Sequence, residues 1–198
     1  MDKGRLEAFT DGVIAVIITI MVLEMKAPHS PTFEALVELW PVLLAYILSF
    51  IYVGIYWNNH HHMLHATNRV SGGALWANLH LLFWLSLVPF VTGWMGEHHH
   101  AAVPTAAYGV VLLMAAVSWT ILQTTLTRQR DHNAALARAI NRDFKGKLSL
   151  GLYLAAIPLA YVETWASIAI YIGVALIWLV PDRRIERALS EHHDAQGH

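Results

Sequence analysis

An apolar segment with a charge near its start constrains the fold of this chain more than any other feature. Residues 5–24 are long and apolar enough to cross a lipid bilayer, yet Asp11 lies about one turn inside the segment. A charge at the centre of a membrane span costs about 2.5–3.5 kcal/mol on insertion scales, and less near an end. Such a residue usually pairs with a neighbouring group or marks a functional site.

The composition of the whole chain indicates the same class of protein. Of the 198 residues, 56% are hydrophobic and only 14% are charged, against about 25% charged residues in soluble domains. The net charge of −1 leaves no basic surface for nucleic acid. No nucleophile triad, Walker loop or dinucleotide fingerprint occurs in the sequence. We therefore predict an all-α integral membrane protein of one domain, residues 1–198, that is not an enzyme.

Six transmembrane helices are predicted from the lengths of the apolar segments, since a span needs about 17–25 residues. The last two segments are the shortest, and only Glu163 and Thr164 separate them. An alternative for this stretch is one tilted span with an interfacial segment, which gives five crossings. The six predicted spans are residues 7–25, 33–63, 74–95, 104–126, 148–162 and 165–181.

The distribution of Lys and Arg predicts the orientation in the membrane. With both termini in the cytoplasm, only Lys26 of the thirteen Lys and Arg residues lies outside, as the positive-inside rule favours. Five crossings would instead leave three C-terminal arginines outside. We therefore expect a multi-pass protein of the cell membrane with both termini cytoplasmic. The residues on the cytoplasmic side are then Lys3, Arg5, Arg69, Arg128, Arg130, Arg138, Arg142, Lys145, Lys147, Arg183, Arg184 and Arg187.

Polar residues at the cytoplasmic ends of the first three spans form one candidate site around Asp11. A buried carboxylate needs hydrogen-bonding partners, and the alternating direction of the spans brings several donors to a similar depth. We favour a polar clasp that holds the first span against the second and third; the alternative is an ion or proton site. The candidate partners are Trp57, His60, His61, Asn78 and His80.

An apolar stripe along the first span is the second candidate site. Val16, Ile20 and Leu23 recur at i, i+4 and i+7, so they share one face of a helix. Gly12 and Ala15 are small enough to allow close contact between helices. From the residues alone, the stripe is either a packing surface or the wall of a pore.

The first span resembles a known signature, Arg-x-x-x-Phe-Ser-Asp followed by an apolar helix that ends in Leu-Glu. Here Thr10 stands where serine is usual, and Val16 where isoleucine is common. Residues 56–61, Tyr-Trp-Asn-Asn-His-His, are similar to the motif Tyr-Trp-x-Asn-His-His of the same family, and Asn78 begins a similar third-helix pattern. The family is the bacterial branch of the transmembrane protein 175 potassium channels. The matching positions of the first span are Arg5, Phe9, Asp11, Ala15, Thr19, Leu23 and Glu24.

The resemblance implies a potassium-selective channel. The family's architecture is a homotetramer in which the first helix of each subunit lines a central pore for K⁺, with no cofactor. Its pore-lining apolar positions fall on Val16, Ile20 and Leu23, and its hydroxyl on Thr19. The alternative functions are a secondary transporter, which would predict polar, broken helices at the midplane, and a histidine-dependent metal transporter or membrane oxygenase.

The histidine tracts are the basis of the metal alternative. His61 and His65 have the His-x-x-x-His spacing of a helical metal pair. Consecutive histidines point around a helix, however, and cannot all reach one ion, while residues 98–100 are predicted on the opposite side of the membrane. We therefore favour interfacial histidines with polar partners over a metal site.

Overall fold

The computed structural model describes residues 3–67, 70–127 and 144–179, and the regular secondary structure in these ranges is helical. Several sequence predictions fall outside the described residues: most of the basic segment after residue 127, the end of the last predicted span, and the arginines at 69, 183, 184 and 187. The helices are α1 (Lys3–Leu23), α2 (Phe33–Glu38), α3 (Trp40–His65), α4 (Gly72–Ser86), α5 (Val88–Glu97), α6 (Ala102–Thr127), α7 (Phe144–Leu159) and α8 (Thr164–Leu179).

In the described part of the chain, four segments are long and apolar enough to cross a membrane. They are α1, α3, α6 and the combined α4–α5 segment Gly72–Glu97. Within the described ranges, helices α7 and α8 have 16 residues each, a length of about 24 Å at 1.5 Å per residue. The protein is thus an all-α membrane protein with four long apolar helical segments and shorter helices beside them.

Two of the predicted spans are divided in the structure, each near a proline. The segment predicted as 33–63 begins with the short helix α2, which Thr32 caps with its side chain, and α3 starts afresh with Pro41 in its first turn. Helices α4 and α5 meet at Leu87, two residues before Pro89. Proline lacks an amide hydrogen and clashes with the preceding turn, which accounts for the break.

Contacts between helix ends show that α1 runs opposite to α3 and in the same direction as the α4–α5 segment. The Lys3 ammonium donates to the carbonyl oxygen of His65 at 3.2 Å, so α1 starts where α3 ends. At the other end of the bundle, Lys26 and Glu97 form an exposed ion pair of 3.1 Å. We call these two ends the Lys3 end and the Lys26 end.

Hydroxyl groups form a network in the interior of the subunit. The Ser49 hydroxyl lies 2.6 Å from that of Thr92 and 2.9 Å from that of Tyr108. The Tyr52 hydroxyl donates to the carbonyl oxygen of Tyr171 at 2.6 Å. Because an unpaired polar group in hydrocarbon is costly, these bonds fix α3 against α5, α6 and α8.

Two glycines allow helices to approach each other closely. A Cβ atom on Gly109 of α6 would collide with the hydroxyl of Tyr171 on α8. A Cβ atom on Gly96 of α5 would lie 2.9 Å from the Cα atom of Val42 on α3. Small residues serve the same purpose at helix contacts in other membrane proteins.

Helix α1 packs on the rest of the subunit through one face only. Its buried residues follow helical spacing and contact α3, α4 and α5. No described part of the chain covers the opposite face. The buried residues of α1 are Leu6, Thr10, Ile14, Ile17 and Met21.

Candidate functional site

The uncovered face of α1 carries the apolar stripe predicted from the sequence. The exposed fractions are 55% for Val16, 42% for Ile20 and 77% for Leu23, and Thr19 is exposed beside them. We call Val16, Thr19, Ile20 and Leu23 the pore face, after the role that the family resemblance implies for them. Large apolar side chains uncovered along most of a helix need lipid, another subunit or a pore axis beside them.

The hydroxyl of Thr19 is oriented by its own helix. It donates to the carbonyl oxygen of Val16 at 2.9 Å, a local bond that threonine commonly makes in helices. The hydrogen is therefore used within the helix, while the lone pairs of the Thr19 oxygen stay available on the exposed side. An oxygen in this state is a possible ligand for a cation.

Arg5 and Phe9 lie on the same exposed side of α1 as the pore face. Phe9 is 51% exposed, and no hydrogen bond or ion pair joins Arg5 to another residue of the described ranges. Both belong to the same signature of the first span as Thr10 and Asp11, so we predicted them as part of one site with the polar clasp. In the structure, the motif instead divides between two faces: Arg5 and Phe9 point outward, and Thr10 points inward.

Five side chains were predicted from the sequence as hydrogen-bonding partners of Asp11, and one of them binds it. The indole N–H of Trp57 on α3 donates to the Asp11 carboxylate at 2.9 Å. Asp11 itself is only half-buried, so its carboxylate lies at the edge of the α1–α3 contact rather than inside it.

His60 and Asn78 were both expected to bind Asp11, but Asn78 binds Thr10 instead and His60 binds Asn78. The Asn78 amide donates to the Thr10 hydroxyl at 2.9 Å, and its amide oxygen lies 2.9 Å from Nε2 of His60. Since that oxygen only accepts, Nε2 of His60 carries the hydrogen. All three side chains are buried, so this chain of bonds is the buried part of the clasp.

His80, also considered a partner of Asp11, points away from α1, and that interpretation was wrong. The indole of Trp84 donates to Nε2 of His80 at 3.0 Å, so Nδ1 carries the hydrogen and faces the Ser118 hydroxyl at 3.1 Å. The Ser118 hydroxyl donates in turn to the carbonyl oxygen of Met114. His80 therefore joins α4 to α6.

Glu7 belongs to the clasp, and the sequence analysis missed it. Its carboxylate oxygen lies 2.9 Å from Nδ1 of His61 on α3. The indole ring of Trp57 stacks on the imidazole of His61, with ring centroids 6.2 Å apart. One signal was available: Glu7 lies one turn before Asp11, so both carboxylates fall on neighbouring parts of one helix face.

Together these contacts fix the rotation of α1 about its axis. Glu7, Thr10 and Asp11 bind α3 or α4 within about one turn, and this pairing determines which residues face outward farther along the helix. The described ranges contain no group of three His, Asp or Glu side chains arranged around one metal ion.

Comparisons with known proteins agree with this architecture. A family model described as endosomal/lysosomal potassium channel TMEM175 matches residues 5–89, which include both the pore face and the clasp. A potassium channel of Chryseobacterium sp. (strain P1-3) is 51% identical over 192 residues, covering 97% of this chain and 100% of the relative. A potassium channel of Chamaesiphon minutus is 30% identical over 191 residues, covering 88% of this chain and 92% of the relative.

A solved structure has a similar fold. The crystal structure of a lysosomal potassium-selective channel TMEM175 homolog from Chamaesiphon minutus superposes with a TM-score of 0.75 at 29% identity. The match covers 90% of this chain and 96% of the crystallised chain.

Proposed function

This chain belongs to the TMEM175 family of potassium channels, and we propose that its helix α1 lines the potassium-selective pore. The observation that carries the proposal is the division of α1 into two faces. One face packs on α3, α4 and α5, while Val16, Ile20 and Leu23 stay uncovered. If several subunits share a pore axis, this second face lines the pore and acts on the ion. Contact with lipid would give the face no such function.

The proposed assembly is a homotetramer with four copies of α1 around one axis. Four branched side chains at each level of the pore face make a narrow apolar ring. Such a ring holds no fixed charge that traps a cation, and it can gate conduction by losing its water. The clasp supports this arrangement, since it holds α1 in the rotation that directs the ring residues to the axis.

Selectivity follows from the cost of removing water from the ion. An ion that passes a tight apolar ring sheds part of its hydration shell, and K⁺ holds its water less tightly than Na⁺. The Thr19 oxygen replaces one lost water ligand, as backbone oxygens do in other potassium channels. The orientation of the Thr19 hydroxyl, which donates back to Val16, supports this role.

We further infer six crossings, with both termini in the cytoplasm of a bacterial cell. The distribution of Lys and Arg supports the orientation. Helices α7 and α8 support the number of crossings, because they run antiparallel. The Trp178 indole near the end of α8 donates to Ser149 near the start of α7 at 2.9 Å, and Ser167 near the start of α8 donates to the carbonyl oxygen of Ala156 near the end of α7.

Flux measurements on the purified protein in liposomes test the proposal. We expect K⁺ flux that rises with the gradient without saturation and exceeds Na⁺ flux under the same driving force. Empty liposomes serve as the control, and native mass spectrometry measures the number of subunits. Flux that saturates at low substrate concentration would favour a transporter, and a monomeric mass in an active preparation would contradict the shared pore.

A further inference from the structure

We propose that His65 and His61, the latter oriented by Glu7, bind a divalent transition-metal ion such as Zn²⁺ or Ni²⁺ at the Lys3 end of the bundle. This site is separate from the pore face, and its existence does not depend on what the pore conducts.

The two histidines have the geometry that a helical metal pair requires. His61 and His65 lie one turn apart near the end of α3, and their ring centroids are 4.9 Å apart with the rings inclined by 68°. Two imidazoles at i and i+4 share one helix face and are used in this way to bind Zn²⁺. With Zn–N distances of about 2.0–2.1 Å, the two ligating nitrogens must lie within about 4 Å of each other; His65 is exposed, so its side chain is the one free to rotate toward a shared ion.

Glu7 supplies the second observation, which the spacing alone did not provide. Its carboxylate binds Nδ1 of His61 at 2.9 Å, so Nε2 is the nitrogen left to face a metal. A histidine that ligates a metal nearly always donates its other ring N–H to a carboxylate, a carbonyl or water, which fixes the tautomer and raises the basicity of the ligand. Glu7 is therefore in the position of such an orienting carboxylate.

The His61 ring is held in place before any ion binds. Trp57 stacks on it with the ring planes inclined by 24°, and the Trp57 indole is itself bound to Asp11 at 2.9 Å. The His61 side chain nevertheless keeps 40% of its surface exposed, so water can supply the remaining ligands. An ordered ligand that is still accessible loses little conformational freedom on binding.

Charges of both signs lie around the pair. The carboxylates of Glu7 and Asp11 on α1 favour a cation, while the Lys3 ammonium, which donates to the carbonyl oxygen of His65, opposes one. Imidazole nitrogen suits Zn²⁺, Ni²⁺ and Cu²⁺ rather than Mg²⁺ or Ca²⁺, which prefer oxygen ligands. A bound ion would strengthen the Glu7–His61 contact and so fix the start of α1 more firmly against α3.

Calorimetric titration of the purified, tag-free full chain with Zn²⁺ tests the site. The chain has thirteen histidines, and Zn²⁺ can bind to others among them. The comparison between variants therefore shows whether the binding occurs at His61 and His65. We expect wild type to show a saturable binding event that His65→Ala and His61→Ala each abolish. His62→Ala is the matched control: its imidazole contacts that of His61, with ring centroids 5.8 Å apart, but it does not have the i, i+4 spacing of the pair, so its removal should keep the event.

Glu7→Gln tests the orienting role separately. It keeps both histidines and should weaken Zn²⁺ binding by about 10–100-fold, the usual effect of losing an orienting partner. The proposal is wrong if wild type shows no saturable binding, if the event survives His65→Ala, or if Glu7→Gln leaves the affinity unchanged. Because binding is measured without ion flux, a negative result leaves the proposed channel function untouched.

Discussion

Trp57 on α3 donates its indole N–H to the carboxylate of Asp11 on α1 across 2.9 Å. This bond lies beside two others that join α1 to its neighbours, Glu7 to His61 and Thr10 to Asn78. The rotation of α1 is therefore set near its start, far along the helix from Leu23. The proposed pore and the clasp are thus mechanically linked through one rigid helix.

Replacing Asp11 tests whether the Trp57 bond is structural. Asp11→Ala leaves the Trp57 donor unpaired, and an unpaired buried donor costs about 1–3 kcal/mol. Since Trp57 is partly exposed, we expect a loss near the lower limit, measured as the thermal stability of the purified oligomer. Asp11→Asn keeps an acceptor and should lose less. A stable Asp11→Ala oligomer that changes only in ion selectivity would instead indicate an ion-binding site.

The buried bonds of Thr10 and Asn78 should matter more for stability than the Asp11 bond. Asn78→Ala leaves both Thr10 and His60 without their partner inside the protein, so we expect a loss of roughly 2–6 kcal/mol, about one penalty for each unpaired group. Thr10→Ser keeps the hydroxyl and is the control. Chemical denaturation in detergent measures both, and equal stability of Asn78→Ala and wild type would show that these bonds contribute little.

Substitutions on the pore face should change conduction rather than stability. Ile20→Asn wets the proposed ring, so K⁺ flux should rise several-fold and the preference for K⁺ over Na⁺ should fall. Leu23→Ala should act similarly at the other end of the face. Ile18→Ala is the control, since Ile18 is partly buried against the core and should mainly affect stability. If Val16, Ile20 and Leu23 each become asparagine without any change in flux or selectivity, α1 does not line the pore.

Single cysteines test the orientation, and the chain is well suited to this because it contains no cysteine. Cysteine at Ser190 should resist a membrane-impermeant maleimide in intact cells and react after lysis. Cysteine at Ser30, which is exposed in the segment between α1 and α2, should react in intact cells. Labelling of the Ser190 variant from outside would reverse the predicted position of the C-terminus.

The individual pairings of the clasp were not predictable from the sequence. Thr10 and Asp11 are adjacent, yet one is fully buried against Asn78 and the other lies at the edge against Trp57. Successive residues of a helix point about 100° apart, so a small rotation exchanges their partners. The same uncertainty explains why His80 was expected near Asp11 and lies against Ser118, and why Glu7 was overlooked.

The sequence by itself determined the class of protein, the apolar helical segments and the apolar face of α1. In a bilayer the backbone must satisfy its hydrogen bonds within each helix, so apolar length alone identifies a membrane helix, and helical spacing alone groups Val16, Ile20 and Leu23. Only the tertiary structure decided which face of α1 stays uncovered, where the third span divides near Pro89 and which donor binds Asp11. These features depend on how the helices rotate and pack against each other. Contacts between residues far apart in the sequence, such as Gly109 and Tyr171, determine that packing, and local sequence patterns do not reveal such contacts.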